Sequence, residues 1–305
     1  MPGRAALALL AFIPLVLLWI RLEGSLFPKK STIDFWRLSD MPFLKKLEGF
    51  FYGARPALYL KPATWSWLIR LLGKNEQGET YHGKVMTRSD TARLISIDEP
   101  VSLTELEHVI PYDVARSIIL KDPLPSLAAM DCPCRAQKKD ACEPRDVCIV
   151  MGEPFVSFVL DHHPGKSRRL TVEEALKIVE EEEKRGHIHT AWFKDAMHDR
   201  FYTICNCCSC CCLGMKSFFR GTPRIAHSGY SPAIDAGLCA GCGSCAGVCP
   251  FSAISAQGES YTIDTGKCMG CGLCSTHCPT GAIRLSLAPG RGIPLDIGRL
   301  TQTPG

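Results

Sequence analysis

The chain has 305 residues, a net charge of +4 and 46% apolar residues, which leaves room for about two domains with real cores. Its eighteen cysteines would suit a secreted disulfide protein. Eight of them fall instead in a repeated spacing that needs free thiolates, so the compartment is read as reducing and cytoplasmic.

Residues 5–20, AALALLAFIPLVLLWI, are an uninterrupted apolar run of sixteen, at the lower edge for a membrane-spanning helix. Trp19 suits the water–lipid interface, and Pro14 is tolerated better in a membrane helix than in a soluble one. A cleaved signal peptide is the alternative, but no A-x-A-like site follows and no twin-arginine pair is present. A membrane anchor is therefore expected over 1–22. Arg21, Lys29, Lys30 and Arg37 follow it while only Arg4 precedes it, which orients the remaining chain toward the cytoplasm.

Segment 23–84 is basic and aromatic. Between Arg21 and Lys74 ten Lys or Arg stand against four Asp or Glu, interleaved with Phe35, Trp36, Phe43, Phe50, Phe51, Tyr52, Trp65 and Trp67. This suits anionic membrane lipid, with TWSWLIRLLG at 64–73 as an interfacial helix. A core-packing helix or a partner-docking surface fits the same residues. Nucleic-acid binding lacks a recognition motif.

Residues 85–225 read as a mixed α/β domain rich in cysteine. Ala92 to Ile97 is expected as a strand, Ser102-x-x-Glu105 as a capping box opening a helix, and Pro111 as the start of another helix carrying Ile118 and Ile119. Leu127 to Met130 reads as a buried strand leading into D-C-P-C-R with Cys132 and Cys134, then Cys142 and Cys148. Thr171-x-x-Glu174 caps a scaffold helix that stops at Gly186, and its EEEEKR run reads as a solvated face. Phe201 to Ile204, a second strand, runs into C-N-C-C-S-C-C-C, with Cys205, Cys207, Cys208, Cys210, Cys211 and Cys212. Six thiols in eight residues point to metal or cluster ligation rather than packing or a redox disulfide. Cys205, Cys208 and Cys211 keep a C-x2-C-x2-C spacing, but Met215 stands where a fourth ligand would follow. Cys132 could supply it if the two cysteine-ended strands lie side by side, whereas Cys132, Cys134, Cys142 and Cys148 are also a self-sufficient four. The ten cysteines allow one or two clusters. His162, His163, His187, His189 and His198 are read as hydrogen-bonded or surface residues in preference to metal or haem ligands.

Cys239 to Pro250 reads C-A-G-C-G-S-C-A-G-V-C-P and Cys268 to Pro279 reads C-M-G-C-G-L-C-S-T-H-C-P, one motif repeated after 29 residues. The C-x2-C-x2-C-x3-C-P spacing gives three thiolates to one 4Fe–4S cluster and the fourth to the other. One cluster should take Cys239, Cys242, Cys245 and Cys278, and the second Cys268, Cys271, Cys274 and Cys249. Gly241, Gly243, Gly270 and Gly272 allow the tight wrap, and Phe251, Ala253, Ile254, Ala282 and Ile283 are suited to covering the clusters. Paired zinc sites would leave the third cysteine and the Cys-Pro unexplained.

With all eight cysteines and both prolines in place, residues 226–288 resemble the bacterial dicluster ferredoxin family. The resemblance implies a pseudo-twofold α+β module that passes single electrons, with short strands near Tyr261 to Ile263 and Arg284 to Leu287. Residues 108–288 also resemble a cysteine-rich region of membrane-linked ferredoxin-type proteins, carrying the C-P-C-R and I-C-N-C-C-x-C-C-C runs. That likeness implies a common architecture and no substrate.

The fold expected is α+β: an anchor (1–22), a juxtamembrane segment (23–84), a cysteine-rich domain (85–225), the dicluster module (226–288) and a tail (289–305). No G-x-G-x-x-G, G-x4-G-K-[ST] or hydrolase motif occurs, so no nucleotide cofactor is expected. The leading expectation is a membrane-associated carrier passing electrons between redox partner proteins. An enzyme with an open cluster in the cysteine-rich domain, or a thiol/metal sensor, is the alternative.

Overall fold

The computed structural model describes residues 18–61 and 81–300, apart from 105, 107–108, 111–116, 122–124 and 223. The main sheet has nine strands: β1 (Tyr81–Met86), β2 (Val101–Thr104), β3 (Ser117–Leu120), β4 (Leu127–Met130), β5 (Cys148–Met151), β6 (Ser167–Leu170), β7 (Ile188–Lys194), β8 (Arg200–Cys207) and β9 (Ile225–Ala226). Their order is β6-β4-β5-β8-β7-β1-β9, with β2 and β3 branching from β8. All pairings are antiparallel except β1 with β9 and β3 with β8. The principal helices are α1 (Lys30–Trp36), α2 (Phe43–Ala54), α3 (Arg88–Ile95), α4 (Phe155–His162), α5 (Val172–Lys184), α6 (Leu213–Phe219) and α7 (Ile297–Leu300).

Helices cover both faces of the sheet, which is why β4 (LAAM) and β5 (CIVM) are apolar without interruption. Successive side chains of a strand point to opposite faces. Ile149, Met151, Leu127, Ala129, Ala191 and Phe193 therefore join one core with Leu94, Ile95, Ala175, Val179 and Ile297 from α3, α5 and α7. Val150, Ala128 and Trp192 join the other, with Phe35, Phe50, Tyr52, Phe155 and Phe158 from α1, α2 and α4. The aromatic segment after residue 23 is thus part of the domain core: Phe35 is fully buried and its ring meets Phe155, Phe158 and His198.

Several local expectations need correction. Residues 92–95 lie in α3, not in a strand, because Thr87 caps that helix by accepting a hydrogen bond from the Asp90 N–H at 3.2 Å. Ser102 to Thr104 lie in β2, where Ser102 pairs with Ile119 of β3. Ladder pairing prevails there over a capping box, and it places Ile118 and Ile119 in a strand. The start of the helix expected at Pro111 lies outside the described residues. Helix α5 has the expected Thr171–Glu174 capping box, and Gly186 follows it at φ +77°. Its acidic run is not wholly solvated, since Glu182 and Glu183 are buried.

Residues 1–17 of the expected anchor and the whole of 64–73 lie outside the described residues. Residues 18–23 are helical, with Trp19 stacked on Phe50 at 5.2 Å. Among the described residues no helix is long and apolar enough to cross a membrane.

The carboxyl-terminal module holds two antiparallel pairs, β10 (Tyr230–Ile234) with β13 (Ile283–Leu287) at its ends and the hairpin β11 (Ile254–Gln257) with β12 (Ser260–Ile263) between them. Replacing Phe35 by Ala should cost about 3–5 kcal/mol in urea denaturation followed by circular dichroism. A cost below about 1 kcal/mol would show that α1 is an appendage and not core.

Candidate metal and cluster centres

Strand register gathers the cysteines at one end of the sheet. Met130 at the end of β4 pairs with Cys148 at the start of β5, and Ile149 pairs with Ile204 of β8. Cys148 therefore sits beside Cys205, their sulfurs 3.8 Å apart. Cys207, two residues on, shares the face of Cys205. Its sulfur accepts from the Thr190 hydroxyl at 3.1 Å and lies 3.2 Å from that of Cys212, which precedes α6. The Cys134 thiol also interacts with those of Cys212 and Cys132, Cys132 with Cys148, and Cys205 with Cys207, all as free cysteines. Six sulfurs thus close a ring in the order 132, 148, 205, 207, 212, 134.

Arg135 pins this ring. It is 1% exposed, and its Nη2 reaches the Glu182 carboxylate, His187 Nδ1 at 3.1 Å and the Asn206 carbonyl at 3.2 Å. Its Nη1 donates to the Pro144 carbonyl. One guanidinium thereby ties the C-P-C-R turn to α5 and to the cysteine end of β8. Burial alone would lower its pKa, but Glu182 and the neighbouring sulfurs of Cys208 and Cys132 hold it above the ordinary value.

The ring cannot ionise as a whole without a cation, because like charges at such separations disfavour one another. Hydrogen bonds from Cys134 and Cys148 hold Cys132 low, and those from Cys205 and Cys212 hold Cys207 down to about 6. Cys134, Cys148 and Cys205 are pushed up, first because each donates to a neighbouring sulfur and then by burial. Iron or another thiophilic metal would remove this conflict by neutralising the thiolates together.

The six cysteines border an apolar cavity of about 90 Å³ that is also walled by Tyr52, Tyr81, Trp192 and Tyr202. The Tyr52 and Tyr202 hydroxyls share a hydrogen bond of 2.5 Å, and Tyr81 stacks on Trp192 at 4.3 Å. Gly214 lets α6 approach, since a Cβ there would collide with the Trp192 ring. Two buried donors of this wall, Arg135 Nε and Trp192 Nε1, have no hydrogen-bond partner among the described residues. An acceptor within the cavity, such as an inorganic sulfide, would satisfy them. Arg135, Glu182, Trp192 and the tyrosines were not picked out as site residues from the sequence; the Arg of C-P-C-R was the available signal.

Cys142, Cys208, Cys210 and Cys211 form a separate group, with all four sulfurs within 4.8 Å of one another. This partition corrects two expectations. The set Cys132, Cys134, Cys142 and Cys148 is divided, with Cys142 on the other side, and the C-x2-C-x2-C spacing loses Cys205 to the ring. The two strands ending in cysteines are not side by side either, because β5 runs between β4 and β8. The histidines serve packing. His162 bonds to Glu23 at 2.9 Å, His163 to the Gly53 carbonyl at 2.7 Å and His198 to Ser39 at 2.6 Å. His189 bonds to Asn206 at 2.6 Å, and burial pushes it down to about 4, which keeps it neutral.

In the carboxyl-terminal module, one small cavity is lined by Cys239, Cys242, Cys245 and Cys278 and another by Cys249, Cys268, Cys271 and Cys274. Each combines three thiols of one loop with the last thiol of the other. Gly270 has φ +66° and lies against the Tyr230 carbonyl, so no side chain fits. The Gly270 N–H donates to Cys268 Sγ and the Ala253 N–H to Cys249 Sγ, both at 3.4 Å. Phe251, Ala253, Ile254, Ala282 and Ile283 are all buried over these cavities. The four-thiol lining, the amide donors and the apolar cover fit a 4Fe–4S cluster in each.

The two cavities differ in position. Cys242 of the first is exposed. The second faces the cysteine-rich domain, where Phe251 packs on Phe218 of α6 at 5.7 Å, and Arg291 from the tail donates to the Cys268 carbonyl at 2.8 Å. Cys205, Cys207, Cys212, Met215, Phe251, Met269 and Leu273 belong to one continuous apolar cluster.

Residues 232–285 match the family described as 4Fe-4S dicluster domain. No curated protein matches the chain. The carboxyl-terminal part is accordingly an iron–sulfur, ferredoxin-like domain, on a chain whose cysteine clusters suit redox work. Replacing Arg135 by Met should cost about 3 kcal/mol, because buried Glu182 loses its fully buried cation and keeps only His187 at 2.7 Å and the part-exposed Arg185 at 3.2 Å. Urea denaturation of that variant followed by circular dichroism checks it.

Proposed function

We propose that the chain is an iron–sulfur electron carrier with three clusters in series: an outer 4Fe–4S cluster on Cys239, Cys242, Cys245 and Cys278, an inner one on Cys249, Cys268, Cys271 and Cys274, and a third held by the thiol ring. The observation that carries this reading is the unbroken apolar packing from the inner cavity through Phe251, Phe218 and Met215 to Cys207 and Cys212. Water excluded along that route favours electron passage between fixed centres over loss of electrons to solvent. The exposed edge at Cys242 is where a redox partner protein would exchange electrons with the outer cluster. When bound, the clusters supply one-electron chemistry. The chain's own residues hold them, cover them and donate hydrogen bonds that tune their potentials.

Anaerobic full-length protein should contain about twelve iron and twelve sulfide in clusters per chain. Cys207→Ser should lose about a third of both and keep the electron paramagnetic resonance signals of the ferredoxin-like pair. Roughly eight sulfides in the unaltered protein, or no loss in Cys207→Ser, would leave the ring without a cluster and end the series.

Placement at a membrane belongs to the same proposal. It is supported by the apolar run 5–20 and by exposed apolar side chains. Of eleven large apolar residues exposed among those described, seven lie between Leu18 and Leu58, including Phe27, Phe43 and Leu44. Lys29, Lys30, Arg37, Lys45 and Lys46 accompany them in a manner suited to anionic lipid. Deletion of residues 1–17 should move the protein from the membrane fraction to one released by salt. Unchanged fractionation into the soluble phase before and after deletion would remove the membrane from the proposal.

A further inference from the structure

We propose that Cys142, Cys208, Cys210 and Cys211 bind one mononuclear divalent ion, zinc or ferrous iron, as a tetrathiolate site distinct from every cluster of the chain. The proposal stands apart from the electron-transfer reading, which uses none of these four residues.

The argument is one of size. A tetrahedral ion with sulfur ligands at about 2.3 Å sets its sulfurs about 3.8 Å apart along each edge. Here Cys210 and Cys211 are 3.5 Å apart, Cys142 and Cys211 are 3.9 Å apart, and Cys142 and Cys210 are 2.8 Å apart. The first two match that edge; the last is about 1 Å shorter than it, yet longer than a disulfide, whose sulfurs lie about 2.05 Å apart. A cubane puts each thiolate on a different iron with an inorganic core between them, so its sulfurs stand farther apart.

The rest of the chain supplies the comparison. Among the described residues this is the one group of three or more candidate ligands whose donor atoms all fall within 4.8 Å. The two ferredoxin-type quartets surround cavities. In the six-thiol ring neighbouring sulfurs are as close as 3.2 and 3.8 Å, but the six together enclose a cavity instead of meeting at one point. The Cys142 group converges on a point.

The chain context suits a structural ion. Cys142 lies in the stretch 137–147, which contains no strand or helix, and its three partners lie in the turn between β8 and α6. An ion would fasten that stretch to the turn across 68 residues of sequence, beside the ring whose cavity Cys208 also borders. Lys138 donates to the Cys210 carbonyl and Lys216 stands near Cys211, so cationic side chains face the net negative charge of a divalent tetrathiolate.

The test uses full-length protein purified without oxygen and analysed for zinc, iron and acid-labile sulfide. The expected result is one metal atom per chain beyond the iron that sulfide accounts for. The double variant Cys142→Ser, Cys210→Ser should lose that atom and retain all sulfide. If the ion is zinc, absorption at its edge should show four sulfurs at about 2.3 Å and no second metal nearby; if it is iron, Mössbauer spectra should show a high-spin ferrous site separate from the clusters. Loss of about four sulfides in the double variant would make the site a cluster and overturn the proposal. So would unaltered protein with no metal beyond its clusters, including the case in which alkylation under anaerobic conditions finds Cys142 and Cys210 joined as a disulfide. Should the double variant fail to accumulate, the metal-to-sulfide ratio and the spectra of the unaltered protein decide alone.

Discussion

The register of β5 between β4 and β8 is the constraint on which the cysteine-rich domain depends. Pairing Met130 with Cys148 and Ile149 with Ile204 brings three strand ends to one point. A slip of one residue in β5 would turn Cys148 away from Cys205 and exchange Val150 with Ile149 between the two cores. Both cores oppose such a slip, because Ile149 and Val150 are each buried on their own side. Burial of apolar side chains thus fixes the position of sulfur. Arg135 then converts three converging chain segments into one rigid unit, using a charge whose desolvation is offset by Glu182 and by carbonyl acceptors.

Gathering six buried thiols is unfavourable by itself, since deprotonating any one of them raises the difficulty of deprotonating the next. The fold accepts this cost at a single place and surrounds it with aromatic rings, unpaired donors and a close helix approach at Gly214. Such an arrangement has a reason when a polynuclear, acceptor-rich group draws on all of these features together. The same reasoning does not extend to the Cys142 group, where the sulfurs converge and half the ligands lie toward the surface.

What could be read from the sequence followed from how local the information was. The ligand loops of the dicluster module were legible because their spacing, glycines and prolines act within one short segment, whereas its strands near 261–263 and 284–287 came from the family resemblance and the strands at 230–234 and 254–257 were not read. Thr171 and Glu174 were legible for the same reason, as a capping box is decided within four residues. Residues 92–95 and 102–104 were misread because their conformation is set by partners remote in sequence or by a cap at Thr87 that lies before the expected strand. The partition of the ten further cysteines was not legible at all. Nothing in the spacing of Cys205, Cys208 and Cys211 says that Cys205 remains in a strand while the other two follow the turn. Glu182 was lost to pattern reading as well, since a run of acidic residues looks solvated until a buried arginine from another segment is placed against it.

Exposure is graded along the proposed path, and this bears on how the parts could work together. Cys242 at the outer cavity is exposed, no cysteine lining the inner one is exposed, and Cys207 and Cys212 in the ring are buried. Net charge and solvent access are the main means by which protein tunes iron–sulfur potentials, so chemically similar clusters placed along such a gradient would not share one potential. Helices α1 and α2, which expose Phe43 and Leu44 on one side, bury Phe35, Phe50 and Tyr52 on the other, and Tyr52 reaches the wall of the ring cavity. A lipid or protein surface engaging the exposed side would therefore bear on the ring through a single layer of packed aromatic side chains.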